Sequence, residues 1–298
     1  MPSLEIHPLS ELRDEAARLL RERFARQREA EPLLPEIEGF TSHLPSEGVV
    51  ATRGGAAVAY LGGEVEDDTV WMRFGACAAS EAEAVRDLFA ELSGRWGVSR
   101  FQVAVPASEA ELIDAFFRLA FGCQAVWAVR ETDAYTAVQL QHTYVRPSTP
   151  DDLAAIAGFD QALWTHQTKE PSFSGLSVPT ADEFREEWSN LWDEDEYPWH
   201  VVAERDGRVV GHALLCLRPT GDLRVPQDNI DLAHVVTAEE ARGSGVGLLL
   251  TTSAVAWANE QGYRSMTTDW RMVNLLSSRF WPRRGFRPQY LRLYRAVP

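Results

Sequence analysis

Arg242, Gly243, Ser244, Gly245, Val246 and Gly247 are the residues of this chain whose types and spacing best suit chemistry on an anion. Glycines at alternate positions let the backbone turn tightly and approach a ligand closely. Successive N–H groups in such a turn point into one concavity, and a helix N-terminus behind it adds partial positive charge. A pyrophosphate is the group this arrangement would hold. No Lys-Ser/Thr follows the glycines, so the loop is not an ATP-type P-loop, and its glycines are spaced too closely for a dinucleotide G-x-G-x-x-G. Just before the loop stand Asp231 and His234, a carboxylate and an imidazole able to move protons. His234 has the better intrinsic pKa for a base near neutrality. Three positions apart on a regular strand, they face opposite sides.

The elements that must position these groups are legible as patterns. Asn229 to Thr237 reads as a strand and Leu248 to Asn259 as a helix, so the loop joins strand to helix. Thr267 to Trp270 reads as a further strand, and Leu291 to Tyr294 as the last. The chain also repeats itself. Val49 to Ala59 matches Val201 to Gly211 at a constant offset of 152, each reading as strand, glycine-containing turn, strand. Phe116 to Gly122 matches Phe280 to Phe286. With 298 residues, this predicts two α+β domains, 1–130 and 144–298, each a mixed central sheet flanked by helices. In the first copy, Glu81 and Glu83 stand where a phosphate would need donors, and no matching glycine loop is present.

Composition bounds the function. A net charge of −15 argues against nucleic acid or an anionic membrane as partner. The charge is uneven: from Ala241 to the end, nine arginines against Glu260 and Asp269 leave +7, so residues 1–240 carry −22. A basic segment that begins at the glycine loop suits a polyanionic cofactor. The apolar runs are too short to span a bilayer, and the first 15 residues lack a secretory pattern. Cys77, Cys123 and Cys216 show no metal-ligand spacing, so no metal is expected and reduced thiols in the cytoplasm are.

Read as R-x-x-G-x-G, residues Arg242 to Gly247 resemble the acetyl-coenzyme A pyrophosphate loop of the GNAT superfamily of N-acetyltransferases. A second element, Asn274 through Ser277, Phe280 and Trp281 to Gly285-Phe286, is similar to the superfamily's N-x-x-(A/S)-x-x-(L/F)-(Y/W)-x-x-x-G-F pattern. The resemblance covers residues 144–298 and implies a sheet splayed between its fourth and fifth strands, with acetyl-CoA as co-substrate in the gap. It implies that Val235, Val236 and Thr237 offer backbone groups to the pantetheine arm and thioester. Arg242, Gly243, Ser244, Gly245, Val246 and Gly247 would then hold the pyrophosphate. Asn274 reads both as a helix cap and as a cofactor contact. Many members carry a tyrosine where this chain has Trp281, whose indole only donates and cannot act as a general acid. A bulge in the fourth strand, common in the superfamily, would change how Asp231 and His234 face.

The acceptor would meet the variable stretch Phe159 to Tyr197, with Trp164, His166 and Trp192 as contacts. Trp188 and Trp192, four apart on a helix, suit core packing better than ligand contact. Asp193 to Glu196 is an acidic run that would draw in a cation. The expected function is transfer of acetyl from acetyl-CoA to a primary amine of a small molecule, with His234 or Asp231 as base. A mycothiol synthase-like transferase and a non-catalytic acyl-CoA-binding regulatory module are the alternatives. Oligomeric state is not legible.

Overall fold

A computed structural model describes residues 2–133, 138–174, 177–192, 195 and 197–297. Contacts divide the chain into two compact units. Unit 1 is Met1–Ala128 with Thr220–Pro226 and Arg287–Pro298; unit 2 is Val129–Pro219 with Gln227–Phe286. The C-terminal segment is thus part of unit 1, not of the second sequence half to which its position in the chain assigns it.

Unit 1 begins with strand β1 (Leu4–Pro8) and helix α1 (Arg13–Ala30). Strands β2 (Gly48–Arg53), β3 (Ala56–Gly62), β4 (Glu64–Glu66), β5 (Thr69–Met72) and β6 (Cys77–Ala79) follow. Next come helix α2 (Ala84–Trp96), strand β7 (Arg100–Pro106), helix α3 (Ala110–Phe117) and strand β8 (Gly122–Glu131), which enters unit 2 at Val129. One sheet has the order β1-β2-β3-β6; β4, β5 and β7 lie in the other. Val85, Leu88, Phe89 and Leu92 recur at helical spacing on α2 and bury against Val49, Ala51, Val103 and Phe116. On α1, Ala16, Leu20 and Phe24 do the same against Val50 and Tyr60.

Unit 2 holds strand β9 (Thr143–Pro147), helices α4 (Leu153–Thr168) and α5 (Ala181–Glu187), and strands β10 (Trp199–Arg205), β11 (Arg208–Cys216) and β12 (Asn229–Thr237). Helix α6 (Val246–Glu260), strand β13 (Ser265–Arg271) and helix α7 (Leu275–Phe280) complete it. Its strand order is β13-β12-β11-β10-β9. Ala203 and Ala213 face α6, while Val202 and Leu214 face α4 and α5, the alternation expected of a sheet covered on both sides. Strand β14 (Arg287–Ala296) returns to unit 1 and pairs antiparallel with β7, from Tyr290 against Pro106 to Ala296 against Arg100.

The repeat seen in sequence extends to backbone detail. The β2–β3 turn has positive φ at Gly54 and Gly55, and the β10–β11 turn has it at Asp206 and Gly207. Such paired left-handed residues are the hairpin turn whose twist matches that of the strands. Both hairpins shift register at equivalent places, between Ala51 and Thr52 and between Ala203 and Glu204. The later match shifts by one residue. Ala120 (φ 62°) corresponds to Gly285 (φ 81°), Phe121 to Phe286, and Phe116 to Trp281. Each of the last two pairs, Phe116–Phe121 and Trp281–Phe286, makes an edge contact with ring centroids 5.3 Å apart.

Two local features shape unit 2. Parallel pairing of β12 with β13 covers only Asn229–Asp231 against Ser265–Thr267, so the strands part beyond Asp231. That is the expected splay between the fourth and fifth strands. The β11–β12 register also slips: Leu214 faces His234 but Leu215 faces Leu232, leaving Ala233 as a bulge. The bulge restores Asp231 to the face that carries His234, since Cys216 pairs with Asp231 and shares the face of Leu214.

Candidate active site

The glycine loop enters α6 through two left-handed residues, Gly243 (φ 76°) and Gly245 (φ 92°), the second being the helix N-cap. No side chain caps this helix end. Its first-turn N–H groups therefore have no intrahelical acceptor and are left for a ligand. Only Leu249 closes the turn, donating to the Gly245 carbonyl at 2.9 Å. A Cβ on Gly245 would also come within 3.2 Å of Leu140.

A cavity of about 410 Å³ opens onto this loop. Val235, Val236 and Thr237 line it from the splayed strand, and Arg242, Gly243, Gly245 and Gly247 from the loop. Asn274 and Trp281 line its far side. The Asn274 side-chain Oδ1 accepts from the N–H groups of Leu276 (3.1 Å) and Ser277 (3.5 Å), so the residue caps α7 and faces the cavity at once. His166, at the end of α4, lines the same cavity with Nε2 at 3.4 Å from Asn274 Oδ1. The walls are chiefly apolar and the cations Arg242 and Arg284 stand among them, which suits a long, partly apolar polyanion.

The fourth strand carries the acid–base groups. Asp160, fully buried on α4, accepts through Oδ1 from His234 Nδ1 at 3.1 Å and from His212 Nε2 at 3.1 Å. Its Oδ2 accepts from the Trp188 indole at 2.8 Å. Burial alone would raise the Asp160 pKa; attraction to His212 and His234, with their hydrogen bonds, instead holds it below the usual carboxylate range. Burial alone would lower the His234 pKa, but Asp160 more than offsets this and raises it, with help from Asp269 and Glu187. His234 keeps 23% of its side chain exposed while Asp160 has none, so a buried anion orients a reachable imidazole. Asp160, His212 and His234 also lie close enough to offer an ion one ligand atom each, all within 4.8 Å. Those same atoms are already joined by hydrogen bonds.

Asp231 is committed elsewhere. Its Oδ2 accepts twice from Arg218, at 3.0 Å each, and its Oδ1 accepts from the Thr267 hydroxyl at 2.6 Å. Ser244 turns its hydroxyl to the Ala241 carbonyl and accepts from Arg205, and Val246 packs in the core. These two support the loop and do not line the cavity. Trp164 packs against Phe184, and Trp192 bonds to Ser148; neither lines the cavity. The acidic run at 193–196 lies, apart from Asp195, outside the described residues.

Sequence reasoning missed Asp160, His212 and Arg284. Asp160 had a usable signal: it is the one acid on the stripe Ile156, Asp160, Trp164, whose other members are apolar. His212 is the one polar side chain in the run Gly211 to Leu217.

A sheet parted beside a glycine-rich helix start, with a histidine on the parted strand bonded to a buried carboxylate on α4, is an arrangement suited to acyl transfer. Residues 162–286 match the acetyltransferase (GNAT) family, so this stretch of the chain is a GNAT acetyltransferase domain. A GCN5-related N-acetyltransferase from Sphaerobacter thermophilus is similar in fold, with TM-score 0.59 and 14% identity over 98% of this chain and 95% of that one. A GNAT-family acetyltransferase from Colwellia psychrerythraea gives TM-score 0.53 and 12% identity over 99% of this chain and 100% of that one. No curated protein matches the sequence significantly. Among the described residues, no helix is long and apolar enough to cross a membrane.

Proposed function

We propose that the protein transfers acetyl from acetyl-CoA to a primary amine of a small molecule in the cytoplasm, with unit 2 as the catalytic unit and unit 1 as a degenerate copy. The cofactor's pyrophosphate would meet the open N–H groups of α6, and its pantetheine arm the edge of β12 at Val235 to Thr237. An alkylammonium must lose a proton before it can attack a thioester, and His234 is the base. The observation that carries this reading is the Asp160–His234 hydrogen bond on the strand that lines the cavity. Asp160 accepts from Nδ1–H, which leaves Nε2 of His234 as the nitrogen with a lone pair, and the imidazolium formed by proton uptake faces a fixed anion. Attack gives a tetrahedral oxyanion that backbone N–H groups at the parted strand can stabilise. Trp281 packs beside the thioester and transfers no proton, so the coenzyme A thiolate leaves without an acid from that position.

The test is release of free thiol from acetyl-CoA by the purified protein across amines, polyamines, aminoglycosides and peptides. Turnover with one amine class that His234→Ala lowers by about 10²–10⁴-fold is the expected result. Tight acetyl-CoA binding with no thiol release for any acceptor would favour a binding module instead.

A further inference from the structure

The hydrogen-bonded chain behind Asp160 extends far beyond the base. His212 Nδ1 lies 3.2 Å from His200 Nε2, and His200 Nδ1 lies 3.0 Å from Ser148 Oγ. The Trp192 indole donates to Ser148 Oγ at 3.0 Å. These residues come from the end of β9, from beyond α5, and from β10 and β11, all within unit 2.

The ends of the chain fix the direction of every proton in it. An indole N–H only donates, and an ionised carboxylate only accepts. The Trp192 indole therefore donates at Ser148, shared between Oγ at 3.0 Å and the backbone carbonyl at 3.2 Å. At the other end His212 must donate from Nε2 to Asp160. With a single proton on His212, Nδ1 is an acceptor, and His200 donates to it from Nε2. Burial pushes the His200 pKa down to about 3, so this ring stays neutral with its one proton on Nε2, and its Nδ1 accepts from the Ser148 hydroxyl. Every donor thus points toward Asp160. A chain polarised this way does not carry a proton away from His234, because each nitrogen on the Asp160 side already holds one.

We propose that Ser148, His200 and His212 are positioning residues that fix the Asp160 carboxylate in one orientation and share its negative charge with His234. The proposal rests on the reading of His234 as base. The groups facing His234 are Asp160 from α4, His212 from β11, Glu187 from α5, Asp269 from β13 and the Trp188 ring edge at 5.6 Å. Loss of the His212 N–H leaves more of the Asp160 charge for the His234 imidazolium, so the His234 pKa should rise.

Two measurements test this. Long-range proton–nitrogen NMR of the wild-type protein with labelled histidines should show His212 and His200 as Nε2–H tautomers and His234 as Nδ1–H. In pH–rate profiles, His212→Leu should lower kcat/KM at pH 7 by roughly tenfold, a fraction of what a positioned base supplies. Its rising limb should move to higher pH, with the KM for acetyl-CoA unchanged. His212→Gln, which keeps an N–H toward Asp160, should recover part of the loss, and His200→Leu should act like a weaker His212→Leu if the latter fails to fold. An Nδ1–H tautomer at His212, or a profile that drops without moving, would overturn the proposal. So would a stoichiometric divalent metal that is lost in the His212 variant. Failure of the base reading looks different: His234→Ala then keeps the wild-type profile, whatever the tautomers are.

Discussion

The two units place different residues at the same points of one plan. Strand β3 pairs with β6 as β11 pairs with β12, so Cys77 to Ala79 correspond to Val235 to Thr237. One step earlier, Ala76 stands where His234 does, and its carbonyl accepts from Gly62 as the pairing requires. Tyr60 takes the place of His212 and donates its hydroxyl to the Gly75 carbonyl at 2.7 Å. The buried polar residues on the first helix are Arg23 and Gln27, neither of them an acid, and Arg23 donates to the carbonyls of Phe74 and Cys77. Unit 1 thus spends the Cys77 carbonyl on its own arginine, at the position where unit 2 lines a cavity with Val235. At the next helix start neither helix has a side-chain cap; α6 opens from a glycine loop, whereas α2 is preceded by Glu81 and Glu83, engaged with Arg53 and Arg118. A common fold therefore does not carry the chemistry; a handful of positions does.

The largest break in this comparison should come from His234→Ala, which gives unit 2 the residue type of unit 1. Activity should fall by about 10²–10⁴-fold. Because the His234 pKa is raised, wild-type kcat/KM should climb with pH through a value above the ordinary 6.5 as the imidazole loses its proton. The deficit of His234→Ala should shrink at high pH, where more amine is already neutral. Asp160→Asn should move the wild-type limb the opposite way, to lower pH. Retention of the wild-type profile in both His234→Ala and Asp231→Ala would send the search for the base to His166.

Gly245→Val should come next. Its φ of 92° and the close approach of Leu140 both oppose a side chain there. Calorimetry with acetyl-CoA should show affinity reduced by at least tenfold, or roughly 1.4 kcal/mol. In the wild type it should show one site per chain; two equal sites would end the idea that unit 1 is degenerate.

Trp281→Phe should do far less, and unit 1 supplies the reason. Phe116 occupies the matching turn and meets Phe121 as Trp281 meets Phe286. A phenyl ring therefore fits this packing, and turnover should stay within about threefold if the indole only packs. A loss of several orders of magnitude with the fold intact would assign the indole N–H a specific contact.

Sequence showed the parts of this site whose physics is local. A glycine loop between a strand and a helix is written in consecutive residues, and so is a hairpin whose turn needs positive φ. The bulge at Ala233 and the Asp160–His234 bond depend on how separate elements pack, and the two residues of that bond lie 74 positions apart. The placement of Arg287–Pro298 in unit 1 is likewise a matter of pairing with β7, to which the last strand's own pattern of apolar residues is indifferent. Trp164 and Trp192 looked like acceptor contacts because aromatic residues serve cores and ligands equally well.

The smallest effect should come from Glu81→Gln with Glu83→Gln in unit 1. Removing the acids takes away the charge that opposes a phosphate at the start of α2. It supplies neither the left-handed glycines that open the backbone nor a free Cys77 carbonyl, which Arg23 still holds. Both glutamates are half-exposed, so their ion pairs with Arg53 and Arg118 are worth roughly 0–1 kcal/mol each. Calorimetry of the double variant should therefore still give one acetyl-CoA per chain, with nearly unchanged affinity and thermal stability. A second site appearing in this variant would mean that charge alone, and not the backbone, separates the two units.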